Sequence, residues 1–126
     1  MQVCFKNNYS SPVAAAVMWY SAGTCGGDGG DWETRGWWNL NPGDSVNTNV
    51  WTDNRNFCIY AEAQDGTVWA GPYTTQVSMD SFDGCVGLAV SVSDGPNPYY
   101  DAGFLLEDAG SLFWTYITYT VNLNPP

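Results

Sequence analysis

Apolar and polar residues alternate along this chain in short bursts. From Ser45 to Trp51, Val46, Thr48 and Val50 fall on one face and Asn47 and Asn49 on the other, the period of two expected of a half-buried strand. Leu112 to Leu123 repeats the pattern, with Phe113, Ile117, Val121 and Leu123 opposing Trp114, Tyr116, Thr118 and Thr120, and Val86 to Val92 alternates similarly. Asn56 to Ala63 is largely apolar on both faces, which predicts a central strand. Gly, Pro, Asn, Asp and Ser interrupt these runs at the spacing, about 8 to 12 residues, expected of a sandwich or barrel. No long amphipathic helix is present. Only the Ala14–Ala16 neighbourhood and Thr74–Phe82 offer helical pieces, and Val13, Val17, Trp19 and Tyr20 make the first of these a strand. The pattern predicts an all-β fold: one antiparallel β-sandwich domain over residues 1–126, of jelly-roll or immunoglobulin-like complexity.

Two turns organise the middle of the chain. Asp65-Gly66 between Asn56–Ala63 and Thr67–Ala70 predicts a β-hairpin with a type I′ turn. Asn41-Pro42-Gly43-Asp44 predicts a type II turn, with Pro presetting φ and Gly accepting the positive φ that follows. A second hairpin is expected there, Arg35–Leu40 entering and Ser45–Trp51 leaving. The Ser21–Asp31 and Ser93–Asp101 stretches read as exposed loops, where binding function often sits on a rigid β scaffold.

Composition narrows the functional classes. Seven Trp and eight Tyr exceed what a core of this size needs, which directs some rings to the surface. Thirteen acids against three bases give a net charge of −10. That balance excludes nucleic acid as a partner, since such affinity comes mainly from Lys and Arg, and it disfavours anionic membranes. A cation or a neutral ligand such as a sugar fits better, although the acids also serve simply to keep an aromatic-rich surface soluble. With no His, a Ser-His or Cys-His nucleophile pair is excluded. Paired carboxylates, Asp31 with Glu33 or Glu62 with a loop acid, are what remains for glycoside cleavage. Chance pairs are expected among thirteen acids, and the chain reads as a non-enzyme.

Cys4, Cys25, Cys58 and Cys85 match no zinc spacing and read as two disulfides whose pairing is open. Cysteine usage of this kind places the chain outside the reducing cytoplasm, secreted or at the cell surface. No stretch is long enough to span a bilayer. The start, Met1 to Lys6, shows no basic and then apolar leader.

The order Val3-Cys4-Phe5-Lys6-Asn7, then Gly36-Trp37-Trp38-Asn39-Leu40-Asn41-Pro42-Gly43, then Ile59-Tyr60-Ala61-Glu62-Ala63 resembles an uncharacterised bacterial family of small, often exported domains. The resemblance covers residues 3–73 and implies a β fold and an extracytoplasmic setting. It names no ligand. The family carries a Cys shortly after its Pro-Gly, where this chain has Asp44 and Ser45, so no cysteine pairing carries over.

The candidate ligand-binding residues are Asp28, Asp31, Trp32, Glu33, Arg35, Trp37 and Trp38, with Tyr99, Tyr100 and Asp101 in the Pro-rich loop. A sugar site needs a few fixed polar groups beside an apolar platform. Asp31, Glu33 and Arg35 share one face of an extended chain, and Trp32 falls on the other with Thr34. The competing reading packs Trp37 and Trp38 in the core, and the family-like Gly-Trp-Trp pattern favours it. Asp28, Asp31 and Glu33 are candidate Ca²⁺ ligands, as are Asp80 and Asp83, though neither stretch matches an EF-hand.

The leading expectation is extracellular recognition of a glycan or cell-surface ligand. The alternative is a subunit of an oligomer or filament that self-associates by strand addition through Leu112–Leu123, which is uncharged and rich in β-branched and aromatic residues. A lipid-binding or pore-forming sandwich is third.

Overall fold

The computed structural model of this protein describes residues 1–25, 31–86 and 99–126. It is an all-β sandwich. Among the described residues the strands are β1 (Gln2–Asn7), β2 (Val13–Tyr20), β3 (Trp32–Leu40), β4 (Ser45–Trp51), β5 (Asn56–Ala63), β6 (Val68–Trp69), β7 (Tyr73–Ser78), β8 (Phe82–Val86), β9 (Tyr99–Asp108) and β10 (Thr118–Leu123). A small sheet has the order β10-β1-β4, and a large one the order β7-β9-β5-β2-β3-β8, with β6 beside β5. All pairings are antiparallel except that of β1 with β10, which is parallel.

The large sheet is covered on both faces. Val13, Ala15, Val17 and Trp19 of β2, with Phe57, Ile59 and Ala61 of β5, pack against Val3, Phe5, Val50, Val121 and Leu123 of the small sheet. The alternate residues Ala16 and Met18 of β2, with Cys58 and Tyr60 of β5, form a second cluster with Val77, Ala102 and Phe104. These last three belong to β7 and the first half of β9, which curl over the second face. β9 changes partner to do so. Leu105–Asp108 pair with β5, and Tyr99–Phe104 pair with β7. At the switch, Gly71 and Gly103 bring two backbones together, and the Gly71 N–H donates to the Gly103 carbonyl at 3.0 Å. A Cβ on Gly71 would lie 2.7 Å from the Leu105 Cα, so only glycine fits.

Five expectations are corrected. The Asn41–Asp44 turn forms as expected, with Gly43 at φ 87° and the Asp44 N–H donating to the Asn41 carbonyl. It does not close a hairpin, because β3 lies in the large sheet and β4 in the small one. The turn instead carries the chain across the core, with Leu40 and Val46 both pointing inward. Fully buried Asn7 holds it there. Its side-chain amide donates to the Leu40 and Ser11 carbonyls at 3.1 and 3.0 Å, and its backbone carbonyl accepts from the Gly43 N–H at 2.8 Å.

The Asp65-Gly66 hairpin is present, but Gly66 alone has positive φ and its N–H donates to the Ala63 carbonyl. That is a type I turn with a glycine bulge, the three-residue solution, not type I′. Thr74–Phe82 is not helical, since Thr75 and Val77 alternate inward in β7.

The last two corrections concern the final strand and the cysteines. β10 begins only at Thr118, because Phe113–Thr115 close a 3₁₀ turn through Thr115 and Tyr116 N–H groups. One disulfide, Cys25–Cys85, is formed, with Cα atoms 5.5 Å apart, and Cys4 and Cys58 are free. Cys58 is buried in the second cluster, and burial pushes its thiol pKa up to about 11. The bridge ties the segment after β2 to edge strand β8. No helix among the described residues is long and apolar enough to cross a membrane.

Two outcomes follow. Peptide mapping without reduction will show Cys25–Cys85 alone, and iodoacetamide will label Cys58 only after unfolding; labelling of native Cys58 at the rate of Cys4 contradicts this packing. Cys85→Ser will lower unfolding stability by about 2–4 kcal/mol, read from urea midpoints.

Candidate functional site

β3 carries most of the candidate residues, and the structure divides them. Glu33 pairs across the sheet with Trp19 and Arg35 with Val17, so both face the first core. Trp32 packs toward the second cluster. That is the face division expected of an extended chain. An uninterrupted alternation would then put Trp37 on the side of Glu33 and Arg35. A bulge prevents this: Ala15 pairs with Trp38 but Ala16 pairs with Gly36, leaving Trp37 as the extra residue. Gly36 and Trp37 therefore both turn to the second face, where a Cβ on Gly36 would come within 2.8 Å of the Phe82 ring. Trp38 goes to the other side and meets Phe5, with ring centroids 6.2 Å apart.

The two tryptophans thus take different parts. Trp38 is a core-packing residue, as the competing reading held. Trp37 is half-buried, its ring edge against Tyr60 and Phe82 and its plane within 5° of that of Tyr100, at 6.4 Å between centroids. Its indole N–H donates to the Ser78 carbonyl at 2.8 Å, which fixes the ring.

Around it opens a groove of about 550 Å³ lined by Ala14, Trp37, Asn39, Glu62, Met79, Asp80, Ser81 and Tyr100. Glu62, on β5, accepts hydrogen bonds from the Tyr60 and Tyr100 hydroxyls, each at 3.1 Å. Burial and the Glu62 charge push the Tyr60 pKa up to about 12 and raise that of Tyr100 as well, so both phenols stay protonated donors. Trp37 and Tyr100, distant in sequence, meet here because β9 folds over the second face. Asn39, Asp80 and Ser81 are exposed and offer amide, carboxylate and hydroxyl groups at the rim.

The remaining candidates lie elsewhere. Arg35 sits over the Trp19 ring at 5.3 Å and bridges Glu33 and Asp83, each at 3.0 Å. Burial, and then the Asp83 carboxyl beside it, push the Glu33 pKa above the usual carboxylate range against the pull of Arg35. Trp32 pairs edge to face with Tyr20 at 6.0 Å and lines a separate depression with Asp53–Asn56 and Phe113. Asp31 and Asp101 are exposed, and Asp101 pairs with Gln76 in the β7–β9 register. Asp28 lies outside the described residues, and Tyr99 is placed only as the register partner of Ser78. Most of the Ser93–Asp101 loop is outside them too. Among the described residues no group of three or more Cys, Asp or Glu is arranged to hold a metal ion.

Asn39, Glu62, Met79, Asp80 and Ser81 were absent from the expected ligand-binding set. Asn39 continues the Gly-Trp-Trp segment, two residues beyond Trp37 on the same strand face, and Glu62 is the lone acid in an otherwise apolar central strand. Both were signals of a kind. Asp80 was marked only as a candidate Ca²⁺ ligand, and nothing local marks Met79 and Ser81; all three arrive through the β7–β8 connection.

The fold and groove define an all-β sandwich with an aromatic, acid-bearing surface cleft. Comparison with protein-family models, curated proteins and solved structures returns no match.

Glu33 sets a pH dependence. Its folded pKa is raised, so its contribution to stability is present below its unfolded pKa and lost as pH rises through the folded value. Glu33→Gln will flatten the decline in urea midpoint as pH rises above the ordinary Glu range; an unchanged slope contradicts the burial of the Glu33 carboxyl beside Asp83.

Proposed function

We propose that this protein is an extracellular recognition module that binds carbohydrate in the Trp37 groove. The observation that carries this reading is the meeting of Trp37 and Tyr100 with Asn39, Glu62, Asp80 and Ser81 in one open cleft. A sugar presents C–H faces that stack on aromatic rings and hydroxyls that pair with carboxylates and amides, and a cleft needs only a few such groups to orient it. The indole is already fixed by Ser78 and the Glu62 carboxylate by two phenols, so little side-chain freedom is lost on binding. The Cys25–Cys85 disulfide is compatible with a location outside the reducing cytoplasm.

A glycan array tests this. Asn39→Ala, at an exposed side chain, should weaken binding about tenfold, the loss of one good hydrogen bond, with no change in melting temperature. Trp37→Ala should abolish binding. Binding should survive EDTA, because Ca²⁺ takes about six to eight oxygen ligands and the groove offers two carboxylates among the described residues. No new reducing ends should form. A blank array, or full binding by Trp37→Ala, contradicts the reading.

A specific observation also favours self-association as a second reading. β10 has β1 on one side and, among the described residues, no strand on the other. It is uncharged, and the segment leading into it exposes Leu112, Trp114, Tyr116 and Ile117. Natural edges are commonly guarded by charge, and this one is not. Light scattering after size exclusion should then show a mass that rises with concentration and falls in Thr120→Lys. A strict monomer at all concentrations removes this reading.

A further inference from the structure

We propose that the Trp37 groove selects glycans carrying free, protonated amino groups, glucosaminyl chains, over neutral chains and over chains bearing carboxylates. The inference rests on the carbohydrate reading and adds the charge class of the ligand.

The groove is one-sided in its chemistry. Among the described residues its charged lining groups are Glu62 and Asp80, and no Lys or Arg lines it. The three cationic side chains of the chain are placed elsewhere. Lys6 is exposed on β1 of the small sheet. Arg55 is held by Asp108 at 2.5 and 2.9 Å at the start of β5, about 23 Å from Glu62 by strand rise. Arg35 borders an adjoining depression shared with Trp37, but its guanidinium is taken by Glu33 and Asp83. A uronic acid in the groove would therefore meet two carboxylates with no free cation to offset them. An ammonium group would meet both carboxylates and the faces of aromatic rings, which attract cations through the ring quadrupole.

The Glu62 carboxylate is suited to this task. One oxygen accepts from Tyr60 and the other from Tyr100, while a carboxylate has about four lone-pair sites. Acceptor capacity is left over on a group already fixed in place. The phenols, kept protonated by burial and by the Glu62 charge itself, cannot turn into competing anions near neutral pH. Trp37 stacks on the sugar face beside them, so a pyranose lying on the indole can direct an amino substituent toward Glu62 or Asp80.

Bulk attraction by a chain of net charge −10 predicts a similar trend, and the test separates the two. Affinities are measured by calorimetry for oligomers of glucosamine, N-acetylglucosamine, glucose and galacturonic acid, at a pH where the amines are protonated and at low and high salt. The proteins are the parent chain, Glu62→Gln, Asp80→Asn and, as control, Asp53→Asn at the opposite end of the large sheet. The parent should prefer glucosamine oligomers about tenfold over N-acetylglucosamine oligomers and bind galacturonate oligomers weakest. Glu62→Gln and Asp80→Asn should each erase most of that preference, and Asp53→Asn should keep it. Asp80 is exposed, so its variant is not expected to disturb folding. Equal affinity for the amino and acetylated oligomers overturns the charge selection and leaves carbohydrate binding standing. So does a preference that survives both groove variants or disappears in Asp53→Asn. Failure to bind any of the four overturns both.

Discussion

β2 and β5 are apolar on both faces, and each face has to be covered. On one side the small sheet does this, Val3, Phe5, Val50, Val121 and Leu123 closing over Val17, Phe57 and Ile59. On the other, among the described residues, no separate sheet closes the core; β9, before it joins β5 at Leu105, carries Ala102 and Phe104, with Val77 of β7, across Met18, Cys58 and Tyr60. Burial of apolar area drives both coverings. Among the described residues the second is incomplete toward the end of the sheet where β2 begins, and the groove lies there. Ala14, Asn39 and Glu62 occupy that end of three neighbouring strands. The cleft thus lies beside the Ser78–Tyr99 end of the β7–β9 ladder.

The bulge in β3 decides what the cleft contains. A regular strand would have turned Trp37 toward Arg35 and the first core. Shifting the register at Ala15 and Ala16 lets Trp38 fill the first core against Phe5 while Trp37 closes the second and leaves part of its ring at the surface. One residue is thereby both a packing element and the floor of the site, which couples the shape of the cleft to the stability of the second cluster.

Much of this was legible in the sequence, for local reasons. The period-two run Ser45–Trp51, the both-sided apolarity of Asn56–Ala63 and the Pro-Gly turn report backbone geometry within a few residues, and β4, β5 and that turn are present; of the Leu112–Leu123 run only Thr118–Leu123 is a strand, and Val86–Val92 lies beyond the described residues after Val86. Pairing partners are long-range, which is why the Pro-Gly turn was read as a hairpin. The turn chemistry is the same whether the chain returns to its own sheet or crosses to another, and only the buried Asn7, over thirty residues away, decides it. The cysteines show a similar limit: an even count reads as two bridges, yet Cys58 sits in an apolar cluster on a central strand and Cys4 is free. Of the candidate ligand residues, Trp37 and Tyr100 come together in the groove, whereas Glu33 and Arg35 form an ion-pair cluster on the opposite face. Alternation separated Trp32 from Glu33 correctly, but a bulge at Trp37 has no signature in the pattern.

The most direct test is an amide and indole NMR titration with soluble glucosamine and N-acetylglucosamine oligomers. The indole resonance of Trp37 should move on binding, together with the backbone amides of Asn39, Glu62, Ser81 and Tyr100, while the exposed Trp51 and Trp114 stay still. Shifts confined to Trp114 and the residues of β10, or to Trp32 and Tyr20, or no shift with either oligomer, would contradict the assignment of the site to this groove.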